Sequence, residues 1–162
     1  MTVTILPVQS EEQIRAVREL FQEYAASQED KPSFSEFEKE LAGLPGAYAP
    51  PDGRLLMAVE NDENVGCVAL RLLGNGLCEM KRLYVRPAHR NKGIGRQLVQ
   101  AIIEAARTIG YEKLRLDERF FKTRLFRFFH FQATNPTWQE PIPDEARWMF
   151  DDYFVYELVL RR

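Results

Sequence analysis

The segment from Leu83 to Arg96 holds the residues with the clearest chemical potential. It reads LYVRPAHRNKGIGR, which is an apolar strand end, a basic turn and two glycines. Backbone N–H groups at the start of a helix have no intrahelical partner and carry partial positive charge, and glycine lets an anion approach them closely. Cations at Arg90, Lys92 and Arg96 add full charges around the same point. The pattern therefore predicts an anion site that suits a pyrophosphate.

Two other glycine-rich loops fit this stretch poorly. A Walker loop requires Lys and then Ser or Thr after its second glycine, whereas Arg96 and Gln97 follow Gly95. The Rossmann fingerprint requires a third glycine where this sequence has Leu98, although Asp117 stands at the distance of its acidic residue. The alternative without a ligand is a tight strand-to-helix turn with a solvated basic edge.

The same residues resemble the GCN5-related N-acetyltransferase (GNAT) family. The family's acetyl-CoA signature is Q/R-x-x-G-x-G/A, and the run RNKGIG at 90–95 matches it in full. The resemblance extends upstream over Glu79–Val85 and downstream to Asp117, and the loop Leu44–Gly53 is similar to a bacterial subgroup. It implies an N-acetyltransferase that moves an acetyl group from acetyl-CoA, its co-substrate, to a primary amine of a small molecule or peptide. The amine would attack directly in a ternary complex.

The resemblance also implies roles for individual residues. Leu83 and Val85 would offer backbone groups to the pantetheine arm of the cofactor. A backbone N–H around Leu83 or Tyr84 would bind the thioester carbonyl, where charge develops during attack. The amides of the following turn would hold the pyrophosphate. The predicted cofactor-binding residues are Leu83, Tyr84, Val85, Arg90, Asn91, Lys92, Gly93, Ile94, Gly95 and Arg96.

Glu79 is the predicted catalytic base, because an ammonium group cannot attack until it loses a proton. It lies eleven residues before Arg90, where histone-type members of the family carry a basic glutamate. Its role could be direct or through a water. The alternative is that Glu79 pairs at the sheet surface with Lys81, Arg82 or Arg71.

One position departs from the family pattern. Members commonly read L-Y-R-x-x-G-F where this chain has LFRFFHF at 125–131, so Phe126 replaces the Tyr that protonates the leaving CoA thiolate. His130, Tyr84 and Tyr153 are other proton donors without positional support. The departure leaves open a non-catalytic acyl-CoA-binding module that has lost turnover. A nucleotide-binding domain that prefers ATP or NAD to CoA is a second alternative.

The elements that must position these residues follow from the period of the apolar residues and from turn signals. The predicted order is βααβββαβαββ, which describes a mixed, mostly antiparallel sheet with helices on both faces. This is an α/β class, and the resemblance implies the GNAT (acyl-CoA N-acyltransferase) fold. The predicted helices are Glu11–Ala26, Ser33–Gly43, Gly93–Gly110 and Glu118–Phe129, and the predicted strands are Thr2–Val8, Leu55–Glu60, Val65–Leu73, Leu77–Arg86, Lys113–Leu116, a strand beginning at Phe131, and Tyr153–Leu160.

The length and composition limit the class of protein. The 162 residues suit one domain, predicted to span 1–162, and a hydrophobic content of 45% excludes intrinsic disorder. Because 22 basic and 24 acidic residues nearly balance, no nucleic-acid partner is predicted. No apolar run is long enough to cross a bilayer and no signal peptide is visible, so we expect a cytoplasmic protein without a membrane partner. A homodimer is left open.

Cysteines, histidines and aromatic residues complete the predictions. Cys67 and Cys78 are predicted to be buried thiols, opposite Leu83 and Leu72 respectively and too far apart for a disulfide. No metal site is predicted, because no Cys/His ligand spacing occurs. The first two helices, the Gly43–Gly53 loop and the Asn135–Asp152 segment are expected to wall the acceptor pocket. The candidate lining residues are Tyr48, Trp138 and Trp148, and the alternative for each is a place in the core.

Overall fold

A mixed β-sheet with helices on both faces positions the predicted anion site. The computed structural model describes residues 2–27, 34–117, 132–134 and 155–160. Within these residues the strands are β1 (Val3–Pro7), β2 (Arg54–Glu60), β3 (Glu63–Gly74), β4 (Leu77–Val85), β5 (Lys113–Asp117), β6 (Gln132–Thr134) and β7 (Val155–Val159). The α-helices are α1 (Glu11–Ser27), α2 (Phe34–Ala42) and α3 (Ile94–Ile109), and short 3-10 turns occupy Gly46–Tyr48 and Pro87–His89.

The described strands form one sheet in the order β1-β2-β3-β4-β5-β7-β6. β4 and β5 run parallel, and each other pair of neighbours is antiparallel. The prediction of a mixed, mostly antiparallel sheet is confirmed. α3 is the connection between the parallel pair, since parallel strands cannot be joined by a tight turn.

Alternation along the strands divides the apolar side chains between two cores. On one face Leu98 and Ile102 of α3 pack with residues such as Leu70 of β3. On the other face Phe21 of α1 packs with residues such as Met57 of β2. The apolar positions of α1 and α3 recur at helical spacing, so each helix presents one face to its core.

A β-bulge in β4 interrupts this alternation. Ala69 pairs with Lys81 and Cys67 pairs with Tyr84, so two residues of β4, Arg82 and Leu83, lie opposite one residue of β3. Arg82 takes a left-handed backbone conformation with φ +59°. An extra residue in one strand turns the following side chains to the other face. Met80 therefore faces the α3 core, whereas Tyr84, four residues later, faces the α1–α2 core.

The bulge corrects one predicted register. Cys78 lies opposite Leu72, as expected, but Cys67 lies opposite Tyr84 and not opposite Leu83. The prediction assumed an uninterrupted ladder and is therefore wrong by one residue. Both cysteines are free and buried, which confirms their prediction as buried thiols.

Glycine marks both ends of α3. Gly93 precedes the helix with φ +82° and Gly110 follows it with φ +108°. Both conformations are left-handed and favour glycine, and Gly110 donates its N–H to the Ala106 carbonyl at 3.1 Å. The predicted helix from Gly93 to Gly110 is confirmed. The predicted helix Glu118–Phe129 lies outside the described residues.

Candidate functional site

β4 and β5 separate beside the predicted site. Their backbones pair only from Leu77 to Glu79 on β4, opposite Lys113 to Arg115 on β5. The rest of β5 pairs with β7 alone among the described strands. The β4 edge from Met80 to Val85 is therefore not covered by β5. An uncovered strand edge offers backbone N–H and C=O groups to an extended ligand.

The predicted anion site lies where this edge meets α3. The first hydrogen bond of α3 runs from the Gln97 N–H to the Gly93 carbonyl at 3.1 Å, so the helix supplies no acceptor for the amides of Ile94 and Gly95. Asn91 and Gly93 both have left-handed backbones, with φ +64° and +82°. A Cβ built on Gly93 would meet nothing within 4 Å. We call residues 89–96 the cradle loop, and its geometry suits an anion bound by backbone amides.

The three predicted cations of the cradle loop differ in their surroundings. The Arg90 Nε donates to the Val85 carbonyl at 2.8 Å, and its guanidinium lies 5.7 Å from the centre of the Tyr84 ring. The Lys92 Nζ lies 3.3 Å from the buried Glu60 carboxylate. Arg96 is exposed on the first turn of α3. The charge of Lys92 is therefore compensated by the Glu60 carboxylate, a contact that no sequence pattern indicates.

Arg86 fixes the start of the turn that leads into the cradle loop. Its guanidinium contacts the Glu23 carboxylate of α1 at 2.8, 3.1 and 3.2 Å and the Asn64 carbonyl at 2.8 Å. Its backbone N–H donates to the Val65 carbonyl at 2.8 Å. A guanidinium that binds a carboxylate in this bidentate way also fixes the relative orientation of the two side chains. The turn is thereby held to both α1 and β3.

Glu79 lies among cations on the α1–α2 face of the sheet. Its carboxylate is 3.4 Å from Arg71 and 3.7 Å from Lys81, with its side chain 20% exposed. Glu79 lies between Arg71 of β3 and Arg115 of β5 in the register of the sheet. Arg115 in turn lies opposite Glu157 of β7 and binds it at 2.8 Å, so the charges alternate from strand to strand. Glu79 therefore makes the surface ion pairs expected as its alternative role with Arg71 and Lys81, but not with Arg82. Its catalytic role stays a prediction.

Lys81 is the partly buried cation of this group. Burial lowers its pKa below the ordinary value for lysine, and the neighbouring Arg82 lowers it further, whereas Glu79 acts in the opposite direction. The amine of Lys81 therefore loses its proton more easily than that of a solvated lysine.

Arg82 connects the bulge to α1 and α2. Its guanidinium binds the Glu40 carboxylate at 2.9 and 3.0 Å, and it lies 5.6 Å from the Tyr24 ring centre and 5.5 Å from that of Phe37. The Tyr48 hydroxyl donates to the same carboxylate at 2.9 Å. Tyr48 is 3% exposed, and burial together with Glu40 raises its pKa above the ordinary value. Tyr48 is therefore a core residue, which is the alternative expected for it beside a place in the lining of an acceptor pocket.

Tyr84 offers a hydroxyl group beside the bulge. Its side chain is 8% exposed, and its hydroxyl lies 3.4 Å from Glu23. Burial raises the pKa of Tyr84, and Glu23 raises it further, so the hydroxyl keeps its proton at neutral pH. The other candidate donors and pocket residues lie outside the described residues: Phe126, His130, Trp138, Trp148 and Tyr153.

Neither a metal-binding group nor a membrane-spanning helix has support in the described residues. No group of three or more His, Cys, Asp or Glu side chains in the described ranges is arranged to hold a metal ion. None of the helices in those ranges combines the length and apolar character that crossing a membrane requires.

Known proteins resemble the chain in sequence and in structure. The profile of the acetyltransferase (GNAT) family matches residues 14–131. An uncharacterized N-acetyltransferase of Schizosaccharomyces pombe is 35% identical over 147 residues, which cover 88% of this chain and 90% of that protein. An acetyltransferase of the GNAT family from Staphylococcus aureus superposes with a TM-score of 0.76 at 17% identity over 99% of this chain and 100% of that chain. The Salmonella typhimurium protein yncA, solved with its cofactor acetyl-CoA, superposes with a TM-score of 0.69 at 20% identity over 100% of this chain and 96% of that chain.

Proposed function

The chain belongs to the GNAT family of acetyltransferases, and from this premise we propose that the β4 edge and the cradle loop bind acetyl-CoA. It is an acetyl-CoA-dependent N-acetyltransferase, with acetyl-CoA as co-substrate. The acceptor we propose is a primary amine of a small molecule or peptide. The observation that carries the site is the open approach to Gly93, where the helix leaves the next two amides without an acceptor.

The cofactor would lie along β4 with its phosphates at α3. The uncovered edge at Leu83 and Val85 supports binding of the pantetheine arm, because its amide groups can pair with a strand edge. The amides of the cradle loop suit the pyrophosphate. The bulge at Arg82 and Leu83 re-aims the backbone at the point where the thioester would lie.

The reaction we propose is a direct transfer. The neutral amine attacks the thioester carbonyl and a C–N bond forms. The C–S bond then breaks, and CoA leaves as a thiolate that takes up the proton lost by the new amide nitrogen. A backbone N–H around Leu83 or Tyr84 would stabilise the negative charge that develops on the carbonyl oxygen. Glu79 would take the ammonium proton, directly or through a water. Glu79 lies on the α1–α2 face, next to a lysine whose pKa is lowered by burial.

A second function is kept open by Phe126. A chain without the usual tyrosine could bind acyl-CoA without turnover. The likeness to an N-acetyltransferase over 88% of this chain favours the enzyme over this module. Tyr84 adds no support, because burial raises its pKa and makes its hydroxyl a weaker proton donor. Its hydroxyl is tied to Glu23 on α1, so it would have to reach the thiolate through a water.

Thiol release with a panel of amines tests the proposal. We expect CoA to bind in calorimetry and at least one amine to give acceptor-dependent release of free thiol, detected with DTNB. CoA binding without thiol release for any amine would favour the binding module. Displacement of CoA by ATP or NAD at lower concentrations than CoA itself would favour a nucleotide-binding domain.

Four further expectations belong with this proposal. We propose that residues 1–162 act as a single domain and that the protein works in the cytoplasm, with a homodimer left open. The likeness of the Leu44–Gly53 loop to a bacterial subgroup also stays a hypothesis, since the relative described above comes from fission yeast.

A further inference from the structure

Glu60, the last residue of β2, is buried beneath the cradle loop. It is 2% exposed, and in the described part of the chain no other charged or strongly polar side chain is as far removed from solvent. Removing a carboxylate from water is costly unless cations or hydrogen-bond donors compensate for it. The burial of the Glu60 carboxylate must therefore be compensated by the groups that surround it.

Two residues of the cradle loop contact this carboxylate. The Lys92 Nζ lies 3.3 Å from Oε1, and the His89 Nδ1 lies 3.5 Å from Oε2. Neither Oε2 nor Nδ1 has a hydrogen-bond partner of good geometry, although both atoms are withdrawn from solvent. The other ring nitrogen of His89 lies 3.6 Å from the exposed Glu63 of β3. The imidazole thus sits between two carboxylates.

His89 and Lys92 are the residues that flank the first two positions of the GNAT signature, Arg90 and Asn91. The Glu60 carboxylate contacts both flanking residues, so it fixes the backbone that leads into Gly93. The other charged groups at this place are Arg86, whose pKa is raised first by its hydrogen bonds with Glu23 and further by Glu63, and Arg90, which donates to the Val85 carbonyl. Arg86 holds the start of the turn, Arg90 ties the cradle loop to β4, and Glu60 holds the loop at His89 and Lys92.

We propose that Glu60 is a positioning residue for CoA: it holds His89 and Lys92 so that the cradle loop presents its amides to the pyrophosphate. This inference rests on the proposed function. A loop that is fixed before the ligand arrives loses less conformational entropy on binding, which raises affinity. The opposing effect is repulsion between a carboxylate and a pyrophosphate. Lys92 compensates the Glu60 charge at 3.3 Å, so the ordering effect dominates.

The test compares CoA with a ligand that lacks the pyrophosphate. Calorimetry measures the affinity for CoA, and an NMR titration measures the weaker affinity for pantetheine. We expect E60Q to bind CoA about tenfold more weakly, which corresponds to about 1.4 kcal/mol, and to bind pantetheine as the wild type does. E104Q is the matched control, because it also removes one negative charge and one ion pair, that with Arg107 on the exposed face of α3.

H89Q provides a second variant that leaves the buried carboxylate in place. We expect H89Q to weaken CoA binding severalfold. The total loss of binding free energy in E60Q/H89Q should be smaller than the sum of the two single losses. If E60Q fails to fold, as judged by circular dichroism, H89Q decides alone.

Three results would overturn the inference: E60Q binding CoA as well as or better than the wild type, H89Q binding CoA with unchanged affinity, or either variant losing CoA and pantetheine to the same degree. A wild-type protein that binds no CoA would instead refute the proposed function.

Discussion

Arg82 provides a stability test of the bulge that shapes β4. Its side chain is 11% exposed and binds Glu40, whose side chain is 22% exposed, through two nitrogens at 2.9 and 3.0 Å. Its backbone has φ +59°. The residue therefore combines a favourable ion pair with an unfavourable backbone conformation, and two substitutions separate them.

R82A removes the ion pair and keeps the backbone strain. Breaking one partner out of a buried pair costs about 3–5 kcal/mol, and the residual exposure of Glu40 places the expected loss near the lower end, about 3 kcal/mol. R82G removes the same pair but relieves the left-handed strain, which is worth about 1 kcal/mol, so its expected cost is about 2 kcal/mol. A chain of this size loses about 2–4 °C in Tm per kcal/mol, so we expect a decrease of about 9 °C for R82A and about 6 °C for R82G.

Urea denaturation measures both free energies of unfolding, and E40Q with R82A/E40Q completes a double-mutant cycle. The reasoning predicts that R82G is more stable than R82A and that the Arg82 and Glu40 substitutions are strongly coupled. It would be refuted if R82G were the less stable of the two, or if R82A lay within about 0.5 kcal/mol of the wild type.

Three further predictions concern Gly66, Glu79 and Phe126. G66A should lower the free energy of unfolding by about 1–3 kcal/mol in urea denaturation, because a Cβ there would lie 2.7 Å from the Tyr84 carbonyl oxygen, a backbone atom that cannot rotate away; an unchanged midpoint would contradict this. With an acceptor from the amine panel, E79Q should lower the rate at neutral pH far more than at high pH, where the amine is already free; a small, uniform effect would leave Glu79 as a partner of Arg71 and Lys81. F126Y should raise turnover in the thiol-release assay if the leaving thiolate waits for a proton, and an unchanged rate would show that another step limits.

The elements around the site could be predicted because their signals are local. The apolar spacing of α3 lies between two glycines, and Gly93 and Gly110 have the left-handed backbones that glycine favours. The turn before β4 contains Gly74-Asn75-Gly76, a sequence typical of a hairpin turn, and all three residues have positive φ. Local sequence chemistry selects these conformations directly.

The contacts that support the site could not be predicted, because they join distant parts of the chain. Glu60 and Lys92 are 32 residues apart, Glu40 and Arg82 are 42 apart, and Glu23 and Arg86 are 63 apart. From the sequence alone, each of these acidic residues is expected to be a solvated charge on the surface. Only the folded chain shows that Glu23 and Glu40 bind arginines of β4 and the turn after it, and that Glu60 binds Lys92 of the cradle loop.

The bulge was missed for a related reason. Arginine is not a residue that favours positive φ, so nothing in the sequence around Arg82 marks an irregular position. Its conformation is stabilised by Glu40, Tyr24 and Phe37, which lie on other elements. The register of Cys67 therefore could not be derived from the hairpin turn alone.

The central claim is that the cradle loop binds the pyrophosphate of CoA, and a pair of glycine substitutions tests it most directly. Gly93 and Gly74 both have left-handed backbones and open space around a built Cβ, but Gly74 lies in the β3–β4 turn, at the other end of β4. G93L and G74L both introduce backbone strain at a position with positive φ, and only G93L places a side chain in the cradle loop. We predict that calorimetry will show no CoA binding to folded G93L and wild-type affinity for G74L. Wild-type affinity in G93L, or an equal loss in both variants, would contradict the claim.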